Sequence, residues 1–176
     1  LRHRRFDGGW SPALSREVAI RGPAVVALPY DPARDAVGLI QQFRPALYVA
    51  TGMGWTWEAP GGGVGAGEDP AVAARREVVE ETGLTLGALH PLGRTAPSPA
   101  AFEEIVWLFI AEADLADEET RGGAVDEDED ILMRRTPWAE AEAMMRDGRI
   151  LAAPTLLALL RLNAMRGVRG FSDSAA

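Results

Sequence analysis

Glu77, Glu80 and Glu81 stand at i, i+3 and i+4, a spacing that puts three carboxylates on one face of a helix. Like charges so placed repel one another, and hard divalent cations such as Mg²⁺ or Mn²⁺ reverse the sign because they prefer oxygen ligands. Arg76, next in the chain, is placed to orient one carboxylate through a bidentate pair. Ahead of them, Gly61, Gly62 and Gly63 allow close backbone approach, and a carbonyl there can serve as a further metal ligand. A bare cluster of this kind is more often a solvated acidic face with Glu–Arg pairs. The complete spacing decides otherwise.

Gly62 is followed after five residues by Glu68, and after seven more by Arg76-Glu77. An apolar residue and a free position lead to Glu80-Glu81, then a free position, Gly83 and apolar Leu84. This stretch resembles the Nudix box at every defined position. The resemblance implies an α/β fold, the Nudix α/β/α sandwich with a mixed β-sheet and a loop–helix–loop metal site. It also implies hydrolysis of a nucleoside diphosphate linked to another moiety. On that basis Glu77 and Glu81 are the principal metal ligands, Glu80 assists, and the Gly61 carbonyl is a further ligand. Glu68 and Arg76 support the helix and loop. Two or three Mg²⁺ or Mn²⁺ ions are expected, since metals neutralise a pyrophosphate, acidify a water and hold the leaving phosphate. A carboxylate then orients the water or takes its proton.

Other segments resemble the ADP-ribose pyrophosphatases within that superfamily. Pro99 lies sixteen residues after Gly83, preceded by Ser98 and followed by the acidic pair Glu103-Glu104. Gln42-Phe43-Arg44, the run Asp126 to Ile131, and Gly148-Arg149-Ile150 with Ala153-Pro154-Thr155 occur in the same order as in that group. The resemblance covers about residues 16–165. It makes Glu127 the catalytic carboxylate and Glu129 the second choice. It makes Arg16 and Arg44 phosphate or ribose contacts, with Pro99 and Glu104 also at the substrate. For the arginines the plainer reading is a surface ion pair; for the acidic run it is a solvated loop. An EF-hand reading fails because Ile131 stands where glycine is required. Trp55, Trp57, Phe102 and Trp107 are candidates to stack on a base, although Trp107 lies in an apolar run that suits core packing. Ala100-Ala101 and Phe102 depart from the group's usual Gly-Gly and small polar residue, which leaves another nucleotide sugar such as GDP-mannose open. A non-catalytic nucleotide-binding module is the rival class, and retention of the box carboxylates argues against it.

The elements that must position these groups can be read around them. Ala24 to Leu28 signals a buried strand, Asp31 to Asp35 a turn, and Ala36 to Gln42 the returning strand of a hairpin. Phe43 to Gly54 reads as loop, and Trp55 to Ala59 as a short strand. Glu68 or Asp69 caps a helix with Pro70 in its first turn, and Gly83 ends it. Strands follow near 86–95 and 105–113. Thr136 is read as the cap of a helix with Pro137 in its first turn, and a last helix runs from Ala152 to Arg166. Residues 1–176 form a single domain, with 1–22 an N-terminal arm or strand used in dimerisation. The formal charge of -8 repels polymeric nucleic acid. The sequence has no cysteine, which removes thiolate chemistry. The chain starts at Leu1, so some N-terminal sequence is expected to be missing. No spanning apolar run or charged leader is visible, and a cytoplasmic protein acting on a small nucleotide, with no membrane partner, is the expectation. His3 and His90 lack metal-like spacing. The family resemblance implies a homodimer.

Overall fold

The computed structural model describes residues 1–123 and 129–166. The chain begins with β1 (Ala19–Ile20), β2 (Ala24–Asp31), β3 (Ala36–Phe43), α1 (Pro45–Thr51), β4 (Trp55–Glu58) and α2 (Pro70–Thr82). It continues through β5 (Leu86–Thr95), β6 (Phe102–Glu103), β7 (Val106–Ala113), β8 (Glu119–Gly122), β9 (Ile131–Pro137), α3 (Trp138–Arg146) and α4 (Ala153–Arg166). The main sheet runs β5-β7-β2-β3-β9-β8, with β4 also on β3. It is mixed, since β2 and β7 are parallel and the remaining pairs antiparallel.

Alternation along the central strands makes two cores. Val25 and Ala27 of β2, Ile40 of β3 and Phe109 and Ala111 of β7 pack toward Ala73, Ala74 and Val78 of α2. Leu28, Val37, Leu39, Leu108 and Ile110 face the other way, onto Trp138, Met144, Leu159 and Leu162 of α3 and α4. Both faces are therefore covered, which is why the strands read as continuous apolar runs. Truncating a fully buried leucine such as Leu159 to alanine costs about 2–5 kcal/mol.

The sheet is splayed where the glycines lie. β2 and β3 pair only beside their turn, at Tyr30–Val37 and Asp31–Ala36. Further along, β4 takes over the same edge of β3, from Ile40–Glu58 to Phe43–Trp55. The chain then crosses to the edge of β2, where Ala27 N donates to Pro60 O and Val25 N to Gly62 O, each at 2.9 Å.

Two segments differ from the sequence expectation. Residues 45–51 form a short helix within the expected loop, with Pro45 at its start and Gly52 left-handed at its end (φ 78°). Thr136 does not cap α3. It is a fully buried residue of β9, and Pro137 stands at the cap position without a side-chain cap. β9 itself escapes a sequence reading because Arg134 and Arg135 interrupt its apolar alternation after Ile131 and Met133.

Candidate active site

α2 is built as its sequence dictates. The Asp69 carboxylate accepts from Ala71 N at 2.7 Å, Pro70 occupies the first turn, and left-handed Gly83 (φ 71°) closes the helix on Val79 O. Small Ala73 and Ala74 let the helix lie close to the sheet. Glu77, Glu80 and Glu81 lie on the adjoining side of the helix, with Glu81 turned in among the buried positions. All three line a cavity of about 440 Å³ together with Arg44, the loop 61–65, Arg76 and Glu129.

Gly61 is required by backbone contact, and Gly62 leaves room for the Glu77 carboxylate. A Cβ on Gly61 would strike the Val25 carbonyl and come within 2.9 Å of Val26 Cα. A Cβ on Gly62 would lie 2.5 Å from the Glu77 carboxyl carbon. Gly61 N donates to Glu81 Oε2 at 2.8 Å. The flanking Pro60 and Gly62 carbonyls are taken by Ala27 N and Val25 N of β2.

Arg76 is the hub of the acidic face. Its Nη1 donates to Glu77 Oε1 at 2.8 Å and to Glu80 Oε2 at 3.1 Å. Its Nε and Nη2 donate to the two Glu68 oxygens, both at 3.2 Å, and Nη2 also reaches Gly63 O at 3.0 Å. Glu68 in turn accepts from Gly65 N at 2.8 Å. Arg76 and the Gly65 N–H hold the Glu68 carboxyl below its ordinary range, and the Arg76 guanidinium is itself raised by Glu68 and Glu77. The supporting pair therefore ties loop to helix.

Glu81 is different. It is 4% exposed, and its one hydrogen bond among the described residues is to Gly61 N. Burial pushes its carboxyl up to about 8; Gly61 N–H and Arg44 oppose the rise, and Glu77 and Glu129 add to it. Burial likewise raises Glu77, against the pull of Arg76. Among the described residues no three acidic side chains stand as a preformed cation cage. The donor set nonetheless fits a hard divalent ion: a buried, charge-crowded carboxylate with neighbouring carboxylates on the wall of one cavity.

Of the other expected residues, Arg44 sits at the cavity rim, its Nη2 2.6 Å from Glu58 Oε2. Beyond Arg44 and Gly61–Gly63, a second cavity of about 340 Å³ continues, with Glu104, Pro97 and Thr155 in its wall. Glu104 is held there by Arg21, 3.1 Å away. The sequence reading missed Arg21, Glu58 and Thr155. Thr155 falls in the quoted Ala153-Pro154-Thr155 motif, and its Oγ1 accepts from Ala59 N at 2.9 Å. Arg16 is exposed, with its Nη1 bonded to Ser15 O at 2.7 Å, and Pro99 lies on an exposed turn; neither lines these cavities. Glu127 lies outside the described residues, whereas Glu129 is in the wall of the first cavity. Trp55 and Phe102 are exposed; Trp57 and Trp107 pack against the two cores, Trp57 under the Arg134 guanidinium.

A mixed sheet between helical layers, with a carboxylate helix closed over a glycine loop, defines the class, and comparison with known proteins agrees. The NUDIX domain matches residues 20–158, and the chain belongs to that family as a hydrolase of pyrophosphate bonds. It is 35% identical to the ADP-ribose pyrophosphatase of Escherichia coli (strain K12) over 159 residues, 90% of this chain and 76% of the relative. It is 38% identical to the GDP-mannose pyrophosphatase of Cronobacter sakazakii over 154 residues, 87% and 79% of the two chains. Against the GDP-mannose pyrophosphatase of Pectobacterium atrosepticum the identity is 38% over 165 residues, 93% and 83%. Among the described residues, no helix is long and apolar enough to cross a membrane.

Proposed function

We propose that this chain hydrolyses the pyrophosphate bond of a nucleoside diphosphate sugar in a divalent-metal-dependent reaction, with ADP-ribose as the leading substrate and AMP and ribose 5-phosphate as products. One observation carries the reading: the cavity walled by Glu77, Glu80, Glu81 and Glu129 runs past Arg44 into a second one walled by Arg21 and Glu104. The first suits a metal-bound diphosphate, and the second suits a hydroxyl-rich group, for which carboxylates are acceptors and guanidinium groups donors. The named relatives support both ADP-ribose and GDP-mannose as substrates.

Glu77, Glu81 and the Gly61 carbonyl would hold Mg²⁺ or Mn²⁺, with Glu80 and Glu129 completing sites for two or three ions. Bound there, the ions would neutralise the diphosphate and acidify a water. Arg76 keeps Glu77 and Glu80 in place, and Arg44, in the walls of both cavities, would contact the diphosphate. We assign general-base work to Glu127 by its place in the sequence pattern, with Glu129 as the alternative. Arg16 and Pro99 remain candidate substrate contacts for a homodimer, in which the exposed arm of one subunit reaches the other. Exposed Val18 and Ile20 on that arm support the dimer. A cytoplasmic location accords with a small nucleotide substrate.

The test is a panel of ADP-ribose, GDP-mannose and related compounds with Mg²⁺ or Mn²⁺, reading release of the nucleoside monophosphate. ADP-ribose is expected to give the highest kcat/KM. Preference for GDP-mannose would reassign the substrate, and tight binding with no turnover of any compound would replace the enzyme by a binding module.

A further inference from the structure

Two glycines outside the motif at residues 62–84 connect the walls of the first cavity. β8 lies across the end of α2 and occupies its terminal carbonyls: Thr120 Oγ1 donates to Thr82 O at 2.8 Å, and Gly123 N to Glu80 O at 3.1 Å. Helix C-terminal carbonyls need such partners. Gly122 lies so close to the Glu81 carbonyl that any Cβ would collide with backbone, and would also come within 3.1 Å of Glu80 O. Gly123 faces the other wall. Its φ is +111°, and a Cβ there would lie 2.8 Å from Glu129 O and 2.9 Å from Glu129 Cβ. Gly122 is paired with Ile131, so β9 enters the sheet directly opposite. A side-chain-free dipeptide is thus packed between the last turn carrying Glu80 and Glu81 and the backbone of Glu129.

We propose that Gly122 and Gly123 are positioning residues that set the separation between the α2 carboxylates and Glu129, and through it the geometry offered to the metal and diphosphate. This rests on the metal-dependent reading above. A methyl group at either position has backbone on its far side, so it must displace the helix end or Glu129 rather than a flexible side chain. Displacements of about 1 Å at a reacting constellation lower turnover by about a hundredfold.

The experiment compares Gly122→Ala and Gly123→Ala with Gly93→Ala. Gly93 also has positive φ (+99°), but it lies on the far edge strand β5 with nothing near its Cβ position. Mn²⁺ affinity of the chelator-treated proteins is measured by electron paramagnetic resonance, alongside kcat, KM and Tm. The site variants are expected to bind Mn²⁺ about tenfold more weakly, a loss typical of groups that orient metal ligands. Their kcat should fall about a hundredfold, with KM changed less than about threefold. Gly93→Ala should lose stability while keeping Mn²⁺ affinity and kcat. Folded site variants with wild-type Mn²⁺ affinity and kcat would overturn the inference, as would equal losses in Gly93→Ala. Hydrogen exchange on the wild-type protein covers variants that fail to fold: Mn²⁺ should slow exchange at the Gly123 amide but not at Gly93, and an unchanged Gly123 amide counts against the proposal. Wild-type protein that neither binds Mn²⁺ nor hydrolyses the panel would overturn the metal-dependent reading and this inference together; an active wild type with unaffected variants overturns the inference alone.

Discussion

Asp31 and Glu81 are the two buried carboxylates among the described residues, 3% and 4% exposed, and they are treated in opposite ways. Asp31, at the end of β2, accepts from the backbone N–H groups of Ala33, Arg34 and Leu115 at 2.9–3.1 Å and from Arg34 Nη1 at 2.7 Å. Burial pushes its carboxyl up, but Arg34 and those N–H groups outweigh burial and hold it below the ordinary value. Glu81, equally buried, has Gly61 N–H and two neighbouring carboxylates, and its pKa rises to about 8. A carboxylate placed for structure is given donors until its charge is satisfied. On the proposed metal-dependent reading, one left short of donors and crowded by like charge is the ligand of a cation.

Substitution separates the two roles. Glu81→Gln should lower turnover by about a thousandfold or more while the fold is retained, since an amide removes a charge that the metal-free protein hosts poorly. Wild-type turnover would remove Glu81 from the metal site. Asp31→Asn should do the reverse, costing about 2 kcal/mol or more in urea unfolding because charge-assisted hydrogen bonds are lost, with kcat nearly unchanged. A large kcat loss there would break the contrast.

The pH dependence of stability has opposite signs for the two groups. Glu81 has a folded pKa raised from 4.5 to about 8, so the metal-free fold binds a proton that the unfolded chain has released. Its contribution is therefore full below pH 4.5 and is lost as pH rises toward 8. Asp31 is depressed, so its contribution is present above its ordinary 3.8 and is lost as pH falls through the lower folded value. Chemical denaturation of metal-free protein across pH should show a decline between pH 4.5 and about 8, and Glu81→Gln should flatten it. A decline that persists in that variant belongs to another group. The smallest effect is expected at the second cavity, where Arg21→Ala should raise KM about tenfold with kcat little changed, as for loss of uniform binding. An equal fall in kcat would move Arg21 toward the reacting bond.

How much of this was legible in the sequence depends on range. The box helix, its Asp69–Pro70 start and its Gly83 end are local signals, and so is the β2–β3 hairpin. The carboxylate face follows from helical spacing alone. α1 was hidden in an apolar stretch without an acidic first turn, and β9 by its arginines. Arg21 and Glu58 depend on long-range pairings, with Glu104 and Arg44, that no local pattern announces. The need for glycine at 122 and 123 appears only when β8 is laid across the end of α2. The contrast between Asp31 and Glu81 is equally invisible in sequence, because Leu115, which helps to satisfy Asp31, is far along the chain.

The most direct test is the melting temperature of chelator-treated protein at pH 8, with and without Mn²⁺, for wild type, Glu81→Gln and Asp31→Asn. Binding at a hundred times Kd adds about 2.7 kcal/mol to the folded state. The account predicts a clear upward shift for wild type and a similar shift for Asp31→Asn from its lower starting point, with little or none for Glu81→Gln. A full shift in Glu81→Gln would contradict it.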